Sequence, residues 1–113
     1  MSRTVSTGSM TGFRGTDDTG QVVEDLTPAE MRVLLQQCTR YVVVDNPGWE
    51  PELSARALRL PETPAWRVEV RNGPDRHVAT DAPNLDAAYD ILRSWAGGDG
   101  WWQEAFSWTA LRT

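Results

Sequence analysis

Few side chains in this chain could begin a reaction. There is one His, His77, and one Cys, Cys38, in 113 residues. A structural zinc site needs four ligands of the Cys and His kind, so the sequence predicts no metal. A lone Cys has no partner for an intramolecular disulfide. A Ser-His-Asp set would have to draw on Ser54, Ser94 or Ser107, and none of these lies in a strand-turn-helix nucleophile elbow. The 16 acidic residues always offer some carboxylate pair, which makes pairing uninformative. Gly97-Gly98-Asp99-Gly100 lacks the Lys and Ser/Thr that follow in a phosphate loop, and it reads as a helix end and turn. His77 reads as a strand residue near the surface and Cys38 as a small buried hydrophobe. The expectation is a protein that is not an enzyme, with no catalytic residues and no cofactor.

Tryptophan is the unusual resource. There are six: Trp49, Trp66, Trp95, Trp101, Trp102 and Trp108. Trp66, Trp95 and Trp108 fall on expected core faces. Trp49 sits in a loop among Asp45, Glu50 and Glu52. Its ring either folds back over the sheet edge or stands in solvent. Trp101 and Trp102 are adjacent, so in an extended chain one would face in and the other out. An exposed Trp rimmed by carboxylates has the composition of a binding hot spot. The expected partner-binding surface is therefore Trp49 with Asp45, Glu50 and Glu52, joined by Trp101 or Trp102 with Asp99 and Glu104.

Bulk charge narrows the partner. The net charge is -5 and the pI about 4.7. Phosphate contacts need clustered cations, so nucleic acid and anionic membrane surfaces are disfavoured and a basic protein is favoured. All 11 basic residues are Arg and Ile91 is the sole Ile, a pattern of codon supply in a GC-rich bacterial genome. The first twenty residues contain no apolar run of signal-peptide length, and Val42-Val43-Val44 is far short of a membrane span. These readings predict a cytoplasmic protein.

The elements that must position these residues follow from local patterning. Residues 1–20 are rich in Ser, Thr and Gly and read as a flexible tail, with Phe13 as its anchor if any part docks. Residues 21–113 read as one α+β domain. Thr27, Pro28 and Glu30 form a capping-box start, with Leu26 and Met31 as a hydrophobic staple, for a helix over about 28–38. Met31, Leu34, Leu35 and Cys38 share its apolar face. Tyr41–Val44 is a β-branched strand, closed by Asp45-Asn46-Pro47-Gly48. Residues 53–60 fit either a helical face or an alternating pattern, and the reading leans to a strand or irregular segment. Trp66–Arg71 alternates apolar and charged, and Asn72–Asp75 turns the chain into a partner strand from His77. Val70 is expected opposite Val78, because an odd loop buries Val rather than imidazole. Asn84 caps a second helix with the stripe Leu85, Ala88, Leu92 and Trp95, ended by Gly97-Gly98. Residues 99–104 read as a tight turn or a single helical turn, and Ala105–Leu111 as a last strand. The expected fold is α+β: a small antiparallel or mixed sheet of about four to five strands, with two helices packed on one face.

The C-terminal half carries a resemblance. A Trp66-Arg67-Val68-Glu69-Val70 strand leads to a hairpin and a helix ending Ser94-Trp95-Ala96-Gly97-Gly98-Asp99, followed by Trp102 and a closing strand with Trp108. Over about residues 65–109 this resembles the small Trp-bearing immunity proteins of bacterial polymorphic toxin systems. The resemblance implies an acidic inhibitor that covers the active site of a basic toxin or enzyme. Two other readings stay open: a small-ligand or peptide-binding module in which Trp49, Trp101 and Trp102 wall a pocket, and an adaptor of a biosynthetic enzyme.

Overall fold

The computed structural model describes residues 12–48, 53–73 and 76–111. The chain runs β1 (Arg14–Asp17), β2 (Val22–Val23), α1 (Pro28–Gln37), β3 (Tyr41–Asp45), β4 (Leu53–Arg59), β5 (Trp66–Asn72), β6 (His77–Ala82), α2 (Leu85–Gly97), α3 (Trp101–Ala105) and β7 (Thr109–Ala110). All seven strands join one antiparallel sheet in the order β2-β1-β3-β4-β5-β6-β7. The α+β class is as the patterning predicts, but the sheet has seven strands among the described residues rather than four or five.

Period-two alternation builds its centre. Val42 and Val44, Ala55 and Ala57, Trp66, Val68 and Val70 are buried on one face, where α1 and α2 pack. The intervening residues point to the other face, which no helix covers among the described residues. Val70 does lie opposite Val78, so the hairpin register is the one that buries Val. Residues 53–59 are a strand. The small Ala55 and Ala57 lie beneath α2, where a helix sits directly on the sheet.

Both helices start as their caps dictate. The Thr27 hydroxyl accepts from Glu30 N at 3.1 Å, and Glu30 Oε1 accepts from Thr27 N at 3.0 Å. Asn84 Oδ1 accepts from Ala87 N at 2.9 Å, and Gly98 ends α2 in the left-handed region at φ 73°. The last turn of α1 carries no basic residue of its own. Arg59 of β4 supplies the charge instead, donating to Leu35 O at 2.9 Å and Cys38 O at 3.1 Å. Its guanidinium also lies over the Trp66 ring, 4.7 Å from the centroid.

Three expectations are corrected. The polar stretch taken as a tail contains β1, which lies between β2 and β3, and Phe13 is buried against Trp95; residues 1–11 lie outside the described residues. β1 escapes the apolar pattern because its inward positions are Gly15 and Asp17. A Cβ on Gly15 would stand 2.5 Å from Leu34 Cδ1 and 3.2 Å from the Leu26 methyls, so the glycine leaves room for these side chains to pack on the strand as they do. Asp17 is buried but accepts hydrogen bonds from Thr19 N, the Thr19 hydroxyl and Gln21 N in the β1–β2 turn. The last strand is shorter than the alternation of residues 105–111 predicts and covers only Thr109–Ala110. Before it, Ser107 O accepts from the Thr80 hydroxyl at 2.7 Å, and the Trp108 indole donates to Trp102 O at 2.8 Å. Side-chain anchoring replaces the ladder there. Finally, Ile91 is a central α2 core residue that the predicted stripe omits.

Candidate binding surfaces

The turn after α2 is built around a hydroxyl and a carboxylate. Ser94, buried in the last turns of α2, donates from its hydroxyl to Asp99 Oδ1 and accepts from Trp102 N at 3.0 Å. The same Asp99 oxygen accepts from Trp101 N at 2.9 Å. Gly98 and Gly100 take the left-handed conformation, at φ 73° and 78°, that lets the chain double back between the two helices. The hydrogen bond from Ser94, and then the one from Trp101 N–H, hold the Asp99 carboxyl below its ordinary value.

This knot starts α3, and the helix separates the adjacent indoles. Successive helical residues diverge by about 100° around the axis. Trp102 turns into the core, 7% exposed and edge-on to Trp108 with centroids 5.1 Å apart. Trp101 turns outward and remains 46% exposed, its ring edge-on to Phe106 at 6.0 Å. Asp99 and Glu104 are exposed on either side of it in sequence.

The expected surface is thus divided. Trp101 and Glu104 lie three residues apart on α3, and Asp99 holds the start of that helix through Trp101 N. Trp102 is a core residue, a correction that follows from the helical rather than extended backbone at this point. Asp45 is elsewhere: its carboxylate is held by Arg14 on the uncovered sheet face, with contacts of 3.2 Å to Nε and 2.8 Å to Nη2. Trp49, Glu50 and Glu52 lie outside the described residues. Trp66 and Trp95 are buried as expected, and Trp108 is half-buried against the core.

A second cluster was not singled out from the sequence. On the uncovered sheet face, Ser54, Arg71 and His77 stand in one cross-strand row, and Arg56 faces Glu69 in the next. Glu69 Oε1 accepts from Arg56 Nη2 at 2.7 Å, Oε2 accepts from Arg67 Nε at 3.1 Å, and His77 Nε2 lies 3.6 Å from Oε1. Burial raises the Glu69 carboxyl, but the two guanidinium hydrogen bonds outweigh it and leave it below its ordinary value. The signal for this cluster was present in the alternation Arg67, Glu69, Arg71, since period two puts all three on one face.

Cys38 is buried at the C-terminal end of α1. Burial raises the Cys38 thiol, against the weaker influence of Arg59, and the thiol lies 3.6 Å from Leu35 O. The architecture is a two-layer α+β sheet protein in which, among the described residues, one face is uncovered by helices. No family model, no curated protein and no solved structure matches the chain.

Proposed function

We propose that this protein is a non-catalytic protein-binding module, an immunity or inhibitor protein that covers the active site of a basic toxin or enzyme. The observation that carries the reading is the Trp101 indole. It is 46% exposed on a five-residue helix whose start is pinned by Ser94 and Asp99. A large, part-exposed ring on a pinned helix start, edge-on to Phe106, offers a partner an aromatic anchor of the hot-spot kind. Asp99 and Glu104 add negative charge beside it, and the net charge of -5 would steer a basic partner toward the molecule. A Trp-walled ligand pocket is less well supported, because Trp102 is committed to Trp108 and the core.

The test is affinity capture from the source organism with wild-type protein and with Trp101→Ala in parallel, followed by surface plasmon resonance on the recovered partner. The reading expects a basic partner, bound at least about 30-fold more weakly by Trp101→Ala, the loss typical of a hot-spot truncation. A partner bound equally by both proteins would refute it.

A further inference from the structure

We infer that Trp101 and Phe106 form the two walls of a subsite for an arginine side chain of the basic partner, with Glu104 and Asp99 taking its charge. The inference rests on the reading of Trp101 as the docking anchor and names the group which that anchor receives. The geometry follows from the end of α3. Trp101 and Glu104 are three residues apart on that helix and so share a face. Phe106 ends the helix in an extended conformation, at φ -137° and ψ 159°, and its half-buried ring comes back against Trp101. The ring centroids are 6.0 Å apart and the planes meet at 86°. Two rings at right angles make a corner that the π face of each one borders.

Three observations point to a cation, and to a guanidinium in particular. The first is what the chain does with its other rings. Arg59 lies over Trp66 at 4.7 Å, and Tyr89 has Arg32 over it at 5.1 Å and Arg93 at 5.9 Å. Trp101 is the one exposed aromatic side chain among the described residues, and no guanidinium of those residues lies over it or over Phe106. The second is the local charge. From Gly98 to Leu111 the chain carries two carboxylates, Asp99 and Glu104, and no basic residue. Both internal hydrogen bonds to Asp99 fall on Oδ1, so Oδ2 keeps its capacity to accept. Glu104 has no ion pair among the described residues. The guanidinium groups of adjoining elements are held elsewhere, Arg93 by Tyr89 and Asp90 and Arg67 by Glu69. The third is shape. A planar guanidinium can lie flat on a ring and still turn its edge N–H groups to a carboxylate, whereas an ammonium is a compact, strongly hydrated point charge.

The experiment is a titration of the full chain with Nα-acetyl-arginine amide at fixed pH and ionic strength, read by NMR of the indole N–H signals. The Trp101 signal is the one absent from Trp101→Phe. Nα-acetyl-citrulline amide, close in shape but without the charge, is the parallel arm. The expected result is a saturable shift of the Trp101 signal with the arginine probe, in the millimolar range that one side chain can reach, and no saturable shift with citrulline. Glu104→Gln, an exposed substitution, should weaken the arginine probe about threefold or more. Phe106→Leu, which removes one wall and keeps an apolar side chain, should weaken it by about as much. Absence of saturation in the wild type, an equal response to citrulline, or unchanged affinity in either variant would each overturn the inference. The reading of Trp101 as a protein anchor fails by a different result, a captured partner that binds Trp101→Ala as tightly as wild type.

Discussion

Replacing Phe13 with Ala should come close to unfolding the protein, although Phe13 lies in a stretch whose composition is that of a tail. The side chain is 4% exposed, and its ring meets Trp95 edge-on at 5.8 Å and 71°. Its carbonyl accepts from Leu26 N at 2.9 Å, which fastens the entry to α1 beside β1. Truncating a buried Phe costs about 3–5 kcal/mol, from lost transfer energy and the cavity left behind. A domain of this size has about 5–15 kcal/mol in all. Each kcal/mol lowers the melting temperature by roughly 4–8 °C, so Phe13→Ala should melt at least about 12 °C below wild type. Phe13→Leu keeps most of the volume and should recover more than half of that loss. Differential scanning calorimetry on the three proteins decides the question. A Phe13→Ala melt within about 3 °C of wild type would mean that β1 and its anchor do not contribute to the cooperative fold.

Two further predictions concern the turn and the acid limb. Ser94→Ala removes the hydroxyl that accepts from Trp102 N and donates to Asp99, so it should cost about 1–3 kcal/mol by urea denaturation, with Trp101 fluorescence altered as α3 loosens. An unchanged midpoint would dismiss this knot as a structural element. Asp18 lies below its ordinary value of 3.8, chiefly through the Arg40 N–H, with the Tyr41 and Thr39 N–H groups assisting; Asp99 lies below 3.8 and Glu69 below 4.5. A carboxyl depressed in the folded state contributes stability above its unfolded value and loses it as pH falls through the folded value. Stability should therefore decline as pH drops below about 4.5, and Asp18→Asn with Asp99→Asn should flatten that decline. Urea midpoints between pH 7 and pH 3 test it; parallel curves for wild type and the double variant would contradict it.

What could be read from the sequence was whatever local physics decides. The capping box at Thr27 and Glu30, the Asn84 cap, the Gly98 stop and the Val70–Val78 register each follow from a few neighbouring residues, and each is present. What escaped depends on distant partners. β1 is a strand because β3 pairs with it and because α1 fits over Gly15, and neither is visible in Arg-Gly-Thr-Asp itself. Phe106 and Trp108 suggested a longer strand, but their rings are held against the α3 turn rather than along a ladder. For the candidate site, the Trp pair and its carboxylates were legible as types. Which Trp faces solvent was decided by the helical turn of α3, whose start Ser94 and Asp99 hold, and the alternative of an extended chain there was equally open from the residue types. The Arg56, Arg71 and His77 grouping lies on alternating positions of three strands and becomes a cluster only through register.

The central claim, that the Trp101 surface is where a protein partner docks, is tested most directly by placing a photo-activated cross-linking amino acid at the exposed position 103 of α3, which keeps Trp101, in the source organism, and at position 71 on the uncovered sheet face as the comparison. The account predicts a discrete adduct with a basic protein from position 103 and none with that protein from position 71. An adduct formed from position 71 while position 103 yields none would contradict it and move the docking surface to the open sheet.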